Sequence, residues 1–373
     1  MKTTLSCIKA DVGSIGGHIQ PSRLLVEAVR SKIAEQAKEL KLDFAISHTG
    51  DDVAILMAHP HGVSYAPIHE LAFRAFQAGT EVARQQGLYG AGQDLLKDAF
   101  SGNVRGMGPE VAEMEFEERP NEPFLLFAAD KTSPGAFNLP LYLSFADPMF
   151  CSGLLLGPKL MKGFRFVIMD VDCTEGDRVI ELNAPEDLYQ IAALLRDTER
   201  FVVEAIYNRI TGEQAAVVST SRLRNIAGKY VGKDDPVCLV RVQSDFPATG
   251  EVLAPYALTH YVAGFMRGSH NGPLMPVSQG TGVSYFDGPP VVSCHAMCVH
   301  QGRFTEAADP FSHPFWRSIQ DQAAAKAVEM RRQGFFGPAM LPYSDLEYGG
   351  IVQMLDELEP RFKMRPAEKA VPV

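Results

Sequence analysis

The 373-residue sequence contains no run of about 18 uninterrupted apolar residues, so no membrane span is expected. Its first residues, Met1-Lys2-Thr3-Thr4-Leu5-Ser6-Cys7-Ile8, lack a long apolar stretch and a small-residue cleavage site, which predicts no signal peptide. Cysteine is sparse. Cys7, Cys151, Cys173, Cys238, Cys294 and Cys298 are scattered, which argues against a disulfide framework and fits a reducing cytoplasm. Basic residues are in deficit, 35 against 45 acidic ones, for a formal net charge of -10. A phosphate backbone needs a basic face, so a general nucleic-acid binder is excluded. The same deficit weighs, at first sight, against small anionic substrates. No repeat, low-complexity tract or long linker interrupts the chain. The expectation is therefore one domain over residues 1–373, with a loose tail from about 363.

What is present is a mixture of strand and helix patterns. Strands are expected at Thr3–Asp11, Phe44–Thr49, Val53–His59, around Met114 and Phe116, and at Phe124–Ala129. Further strands are expected at Phe164–Val171, Val179–Leu182, Phe201–Tyr207, Ala215–Val218 and Val237–Val242. Helical spacing of apolar residues marks Pro21–Leu40, Ile68–Gln86, Pro185–Arg196, Pro310–Arg332 and Ser344–Leu358. Asn183 or Ala184 is the expected cap of the third of these. The class is α/β, with large sheets covered by helices.

Carboxylates gather where strands end. Asp11 closes the first strand, Asp51 and Asp52 fill a hairpin turn, Asp130 closes an apolar strand, and Asp234-Asp235 precede another. Such groups repel one another when brought together, and a hard divalent cation with oxygen ligands relieves that repulsion. His18 and Gln93 could add a nitrogen and an amide oxygen. Taken singly, an Asp-Asp turn is ordinary turn chemistry. Cys294 and Cys298 with His295 and His300 invite a zinc reading, but no second ligand pair follows, and buried thiols on a strand are the simpler account.

Gly87–Asp94 and Ser101–Gly108 are glycine-rich loops that let backbone N–H groups approach phosphate. Neither ends in the Gly-Lys-Ser/Thr of a P-loop, and Gly13–Gly17 lacks dinucleotide spacing. The densest chemical segment is Gly228-Lys229-Tyr230-Val231-Gly232-Lys233-Asp234-Asp235-Pro236. A neutral lysine there can form a Schiff base with a ketone, and a tyrosine three residues away can move protons. The adjacent aspartates favour charged lysine, an effect that bound Mg²⁺ would offset. The plain alternative is a solvated charged turn.

Together, Ile8-Lys9-Ala10-Asp11, Gly50-Asp51-Asp52, Ala91–Leu96, Phe100–Gly106, Ala129–Thr132, Asn138–Tyr142, Ala227–Val237, Met266–His270, Gly272–Gln279 and Phe286–Pro290 resemble the fructose-1,6-bisphosphate aldolase/phosphatase family over nearly the whole chain. The resemblance implies a single-domain four-layer α-β-β-α sandwich assembled as a homo-octamer. It implies a bifunctional gluconeogenic enzyme that condenses dihydroxyacetone phosphate with glyceraldehyde 3-phosphate and then removes the 1-phosphate from fructose 1,6-bisphosphate. By resemblance, Lys233 is the Schiff-base lysine, Tyr230 the aldol proton donor and acceptor, and Asp11 the proton acceptor of the phosphatase step. Asp11, His18, Asp51, Asp52, Gln93, Asp130, Asp234 and Asp235 match positions that hold several Mg²⁺ ions. His18, Tyr89, Asn103, Lys131, Gln243, Arg267, Asp287 and Tyr348 match substrate contacts. One departure is Ser244 after Gln243, where family members often carry histidine; it bears on one contact, not on the chemistry. The glycine-flanked loop is expected to present Lys233 and Tyr230 in one state and Asp234 and Asp235 to metal in another. The alternatives are a Mg²⁺-dependent sugar-phosphate phosphatase without aldolase activity and a non-catalytic phosphometabolite sensor.

Overall fold

A computed structural model of the chain describes residues 1–95, 109–173, 175–222, 234–262, 271–283, 288–332 and 349–365. The strands used below are β1 Lys2–Ala10, β2 Asp43–Thr49, β3 Asp52–His59, β4 Glu110–Glu117, β5 Glu122–Asp130, β6 Phe164–Asp170, β7 Arg178–Asn183, β8 Phe201–Asn208, β9 Gln214–Val218, β10 Ser221–Arg222 and β11 Val237–Arg241. Among the described residues one sheet has five strands in the order β10-β4-β1-β3-β2. A second sheet has ten. Its central path runs from Met275–Pro276 through Val291–His300, β5, β11, β9, β8, β6 and β7 to Lys363–Met364, with Arg303–Phe304 paired to Val291–His300.

Side-chain alternation along each strand decides how these sheets are covered. In β1, Ile8 and Ala10 pack with Val53, Ile55 and Met57 of β3 against helix α1 (Arg23–Ala37) and helix α2 (Ala66–Gln85), chiefly through Leu25, Val29, Ile68 and Phe76. Leu5 and Cys7 point the other way and join Ala54, Leu56 and Met114 against Phe124, Leu126 and Leu239 of the second sheet. The opposite face of β5, Leu125, Phe127 and Ala129, packs on α3 (Asn138–Phe145) and α4 (Leu188–Leu195) with Phe145 and Ile191. Three apolar layers therefore alternate with helices, sheet, sheet and helices. A strand buried on both faces reads as a continuous apolar run, which is the pattern of Phe124–Ala129.

Two expected helices are corrected. The segment beginning at Pro185 does not become helical until Leu188, because Asp187 turns its carboxylate back to the Asn183 N–H at 2.8 Å and closes a separate turn. The segment Pro310–Arg332 is split. A short 3-10 turn, Pro310–Ser312, stops at His313, which is extended as a residue before proline tends to be, and the helix restarts at Phe315–Arg332. Helix α3 was not legible from spacing, since apolar residues fill nearly every position of its sequence. The final helix is Gly350–Leu358; residues 344–348 of the expected segment lie outside the described ones. No helix among the described residues is long and apolar enough to cross a membrane. All six cysteines are free thiols. Cys294 and Cys298 sit on one face of the strand Val291–His300, roughly 13 Å apart, too far to share one zinc ion.

Candidate metal and active site

Antiparallel pairing brings the carboxylates together. The end of β1 lies against the start of β3, with Ala10 opposite Val53. The end of β5 lies against the start of β11, with Ala128 opposite Val237. The parity that turns Ala54 and Leu56 toward the second sheet also turns Asp52 there, and the parity of Phe124 and Leu126 turns Asp130 toward the first. Asp11, Asp51, Asp52, Asp130, Asp234 and Asp235 are all buried at this end of the seam.

The hairpin between β2 and β3 closes around Gly50-Asp51, with Thr49 opposite Asp52. Gly50 has φ +56°, and a Cβ there would stand 1.6 Å from Asp130 Oδ2. Only glycine lets this turn reach the neighbouring sheet. Lys131, itself at φ +64°, folds back so that its Nζ donates to Asp51 Oδ1 at 2.6 Å and lies 3.1 Å from Asp130 Oδ1. His18 Nδ1 stands 3.1 Å from Asp51 Oδ2 and 3.8 Å from Asp11 Oδ2, and its ring meets the exposed Tyr89 edge-on at 4.7 Å. Asp235 Oδ1 accepts from the Thr132 N–H at 2.6 Å, which ties the start of β11 to the end of β5.

The electrostatics follow from this crowding. Burial, then Asp51, Asp52 and Asp94, push Asp11 well above the ordinary carboxylate range against the opposing pull of Lys131. Asp130 is likewise raised; burial leads, Lys131 opposes, and Asp51, Asp52 and Asp235 add to the rise. Asp51 goes the other way. Burial would raise it, but Lys131 and His18 outweigh burial and hold it below the usual range. For Lys131, burial works against the charge, and Asp130, Asp51, Asp235 and Asp52 more than offset it.

These residues fit a hard cation. Asp11, His18 and Asp51 can each offer one donor atom within 4.8 Å of the others, and so can Asp51, Asp52 and Asp130; Asp51 belongs to both groups. Asp130 Oδ1 is a buried oxygen that accepts no hydrogen bond from the described residues, since its 3.1 Å approach to Lys131 lacks hydrogen-bond geometry. An acceptor of that kind in a cluster of carboxylates is what a metal ion satisfies.

The remaining predicted residues divide. Gln93 opens the 3-10 turn Gln93–Leu95 beside Asp11. Gln243 lies past the far end of β11, separated from Asp235 by roughly 17 Å of strand, and is bound there to Pro247 and Thr249. The structure does not bring Gln243 to the carboxylate cluster. Asn103, Tyr230, Lys233, Arg267, Asp287 and Tyr348, and residues 228–233 of the glycine-flanked loop, lie outside the described residues.

Two residues were missed in the sequence reading. Asp94 is buried, and its Oδ2 accepts from the Asp11 N–H at 2.8 Å. Lys9 is fully buried and bonds Asp52. A lysine at the position that continues the Leu5–Cys7 face of its strand was the available signal for the second; nothing in the sequence distinguished Asp94 from a loop aspartate.

The profile of the fructose-1,6-bisphosphatase family matches residues 2–363. Relatives over the same span bear the name fructose-1,6-bisphosphate aldolase/phosphatase. The one from Thermus thermophilus is 58% identical, with 97% of this chain and 100% of the relative covered. The one from Moorella thermoacetica is 48% identical over 97% of this chain and 94% of its own length, and the one from Methanothermobacter marburgensis 46% identical over 97% and 99%.

Proposed function

Because this chain belongs to the fructose-1,6-bisphosphate aldolase/phosphatase family, we propose that it condenses dihydroxyacetone phosphate with glyceraldehyde 3-phosphate and then hydrolyses the 1-phosphate of the fructose 1,6-bisphosphate so formed. The observation that carries this reading is the pair of three-donor groups sharing Asp51, in a chain aligned along its length with aldolase/phosphatases.

The ion in the reading is Mg²⁺, held by Asp11, His18, Asp51, Asp52, Gln93, Asp130, Asp234 and Asp235. When bound it supplies charge neutralisation at the phosphoryl group and an activated water. Asp11, raised by burial and by Asp51, is suited to take a proton from the attacking water once cations relieve its repulsion. Lys131 and His18, already directed at Asp51, supply positive and hydrogen-bonding groups toward a substrate phosphate. In the condensation, the amine of Lys233 attacks the ketone of dihydroxyacetone phosphate with loss of water, and Tyr230 carries the proton between carbon and oxygen. Tyr89, Asn103, Arg267, Asp287 and Tyr348 complete the substrate contacts in this reading.

One domain spanning residues 1–373, a homo-octameric assembly and a cytoplasmic setting form part of the same proposal. The exposed apolar side chains Met149, Leu155, Leu156 and Met161 are the kind of surface that an assembly covers. Free thiols throughout suit a reducing compartment.

Borohydride trapping with dihydroxyacetone phosphate, followed by peptide mass analysis, tests the proposal. The expected result is a covalent adduct on Lys233 that disappears in Lys233→Ala, alongside Mg²⁺-dependent phosphate release from fructose 1,6-bisphosphate. Phosphate release without an adduct leaves a phosphatase alone. Sugar-phosphate binding with neither reaction leaves a sensor.

A further inference from the structure

Lys9 sits at 0% exposure in β1, on the face that carries Leu5 and Cys7 toward the second sheet. A buried ammonium persists only when it is paired and hydrogen-bonded. Its Nζ donates to Asp52 Oδ2 and stands 3.0 Å from Glu110 Oε1, directly opposite it in the β1–β4 register. Glu110 is also fully buried. Its Oε2 accepts from Ser219 Oγ at 2.6 Å, and Ser219 Oγ accepts from the Val237 N–H at 2.9 Å. A continuous line thus runs from β11 through Ser219, Glu110 and Lys9 to Asp52. It reaches the carboxylate cluster at Asp52, on the face of β1 that Leu5 and Cys7 turn toward the second sheet. Glu110 holds the ammonium from behind, so Lys9 is not free to follow Asp52 if that carboxylate rotates.

We propose that Lys9 is a positioning residue that sets which divalent cation the site prefers. By occupying Oδ2 of Asp52, it limits Asp52 to one-oxygen coordination. A cation approaching Oδ2 meets the ammonium, so only the other carboxylate oxygen is offered. Ca²⁺ takes roughly six to eight oxygens and often chelates a carboxylate through both, whereas Mg²⁺ demands an octahedron at about 2.0–2.1 Å. A site whose aspartate is held to one oxygen therefore discriminates in favour of the smaller ion. The inference rests on the metal-dependent reading above and adds a role for a residue outside the ligand set.

The test is titration calorimetry of the full-length protein with Mg²⁺ and, separately, with Ca²⁺. Lys9→Met adds net negative charge near the site, which shifts the affinity for both ions. Because the two ions carry equal charge, the ratio of affinities isolates the geometry. The expected result is a drop of about tenfold in the Mg²⁺-over-Ca²⁺ ratio, the scale on which outer partners of metal ligands act. Should Lys9→Met fail to fold, Lys9→Met with Glu110→Gln removes both buried charges together, a change that proteins tolerate better than breaking one half of a pair. The same drop is expected there. A folded variant with the wild-type ratio overturns the proposal. So does a crystal structure of the wild-type protein with Mg²⁺ in which Asp52 chelates through both oxygens. Wild-type protein that binds neither ion refutes the metal reading itself, a result distinct from an unchanged ratio.

Discussion

Asp94 and Asp11 clasp each other through their backbones and one carboxylate: the Asp11 N–H donates to Asp94 Oδ2 at 2.8 Å, and the Asp94 N–H donates to the Asp11 carbonyl at 3.1 Å. The clasp fixes the chain where β1 leaves the sheet, which is where the Asp11 carboxylate must be aimed. Asp94→Ala removes the acceptor and should lower phosphatase activity or cation affinity by about 10–100-fold. Asp94→Asn keeps an acceptor oxygen and should fall between the two. If the alanine variant matches wild type in kinetics and calorimetry, the clasp has no part in the site.

Cation binding should release protons. Asp11 and Asp130 are both raised above the ordinary carboxylate range, so without metal they keep protons at pH values where free aspartate has lost them. A cation displaces those protons, and its affinity should rise with pH through that window. Their contribution to the stability of the metal-free protein is full below the unfolded carboxylate range and is lost as pH rises through their raised folded values. Calorimetry in buffers of differing ionisation enthalpy measures the protons released. Zero release at pH values above the ordinary carboxylate range would falsify the crowded-carboxylate account.

Lys131 is a counter-charge that the chain itself provides to Asp51 and Asp130. Its Nζ bridges Asp51 and Asp130 inside the cluster. Lys131→Met should cost the metal-free protein about 3–5 kcal/mol, because the carboxylates lose their partner. Saturating Mg²⁺ should recover much of that loss, since a cation binding only the folded state restores the missing charge. Thermal unfolding with and without Mg²⁺ reads both effects. A deficit that Mg²⁺ leaves untouched would show that Lys131 and the cation do not act on the same carboxylates.

At the other end of β5, Arg241 and Glu122 make a fully buried two-pronged ion pair, at 2.9 and 3.0 Å, with Arg241 stacked between Phe116 and Phe246. Burial opposes the Glu122 charge, and Arg241 and Arg119 outweigh it, so the carboxyl lies below its ordinary value. Its contribution to stability is therefore present above the unfolded value and is lost as acid reaches the folded one. Arg241→Met should destabilise the protein by about 3 kcal/mol, the lower end for a broken buried pair, because Arg119 remains. Glu122 is roughly 26 Å along the strand from Asp130, so the Mg²⁺ affinity of the folded variant should not change. A large loss of affinity would mean that the two ends of the sheet are coupled.

Much of the molecule was legible from local pattern. Strand alternation and helical spacing located most long elements, and Asp-Asp turns at strand ends pointed to a cation site before any geometry was known. That worked because strand ends and turns are encoded by neighbouring residues. Net charge is a poor guide to anionic substrates for a related reason. Part of the acidic excess is the cluster at the seam, where a bound cation would reverse the local sign.

What the sequence determined by itself was which side chains stand on the same face of each strand: Lys9 with Cys7, Asp52 with Ala54, Asp130 with Ala128. What only the tertiary structure decided was which strands meet. Spacing along the chain carries no information on the approach of Gly50 to Asp130 or on the reach of Lys9 between Asp52 and Glu110. Those relations depend on two sheets packing face to face, and that packing is set by the summed burial of apolar stripes far from the carboxylates themselves.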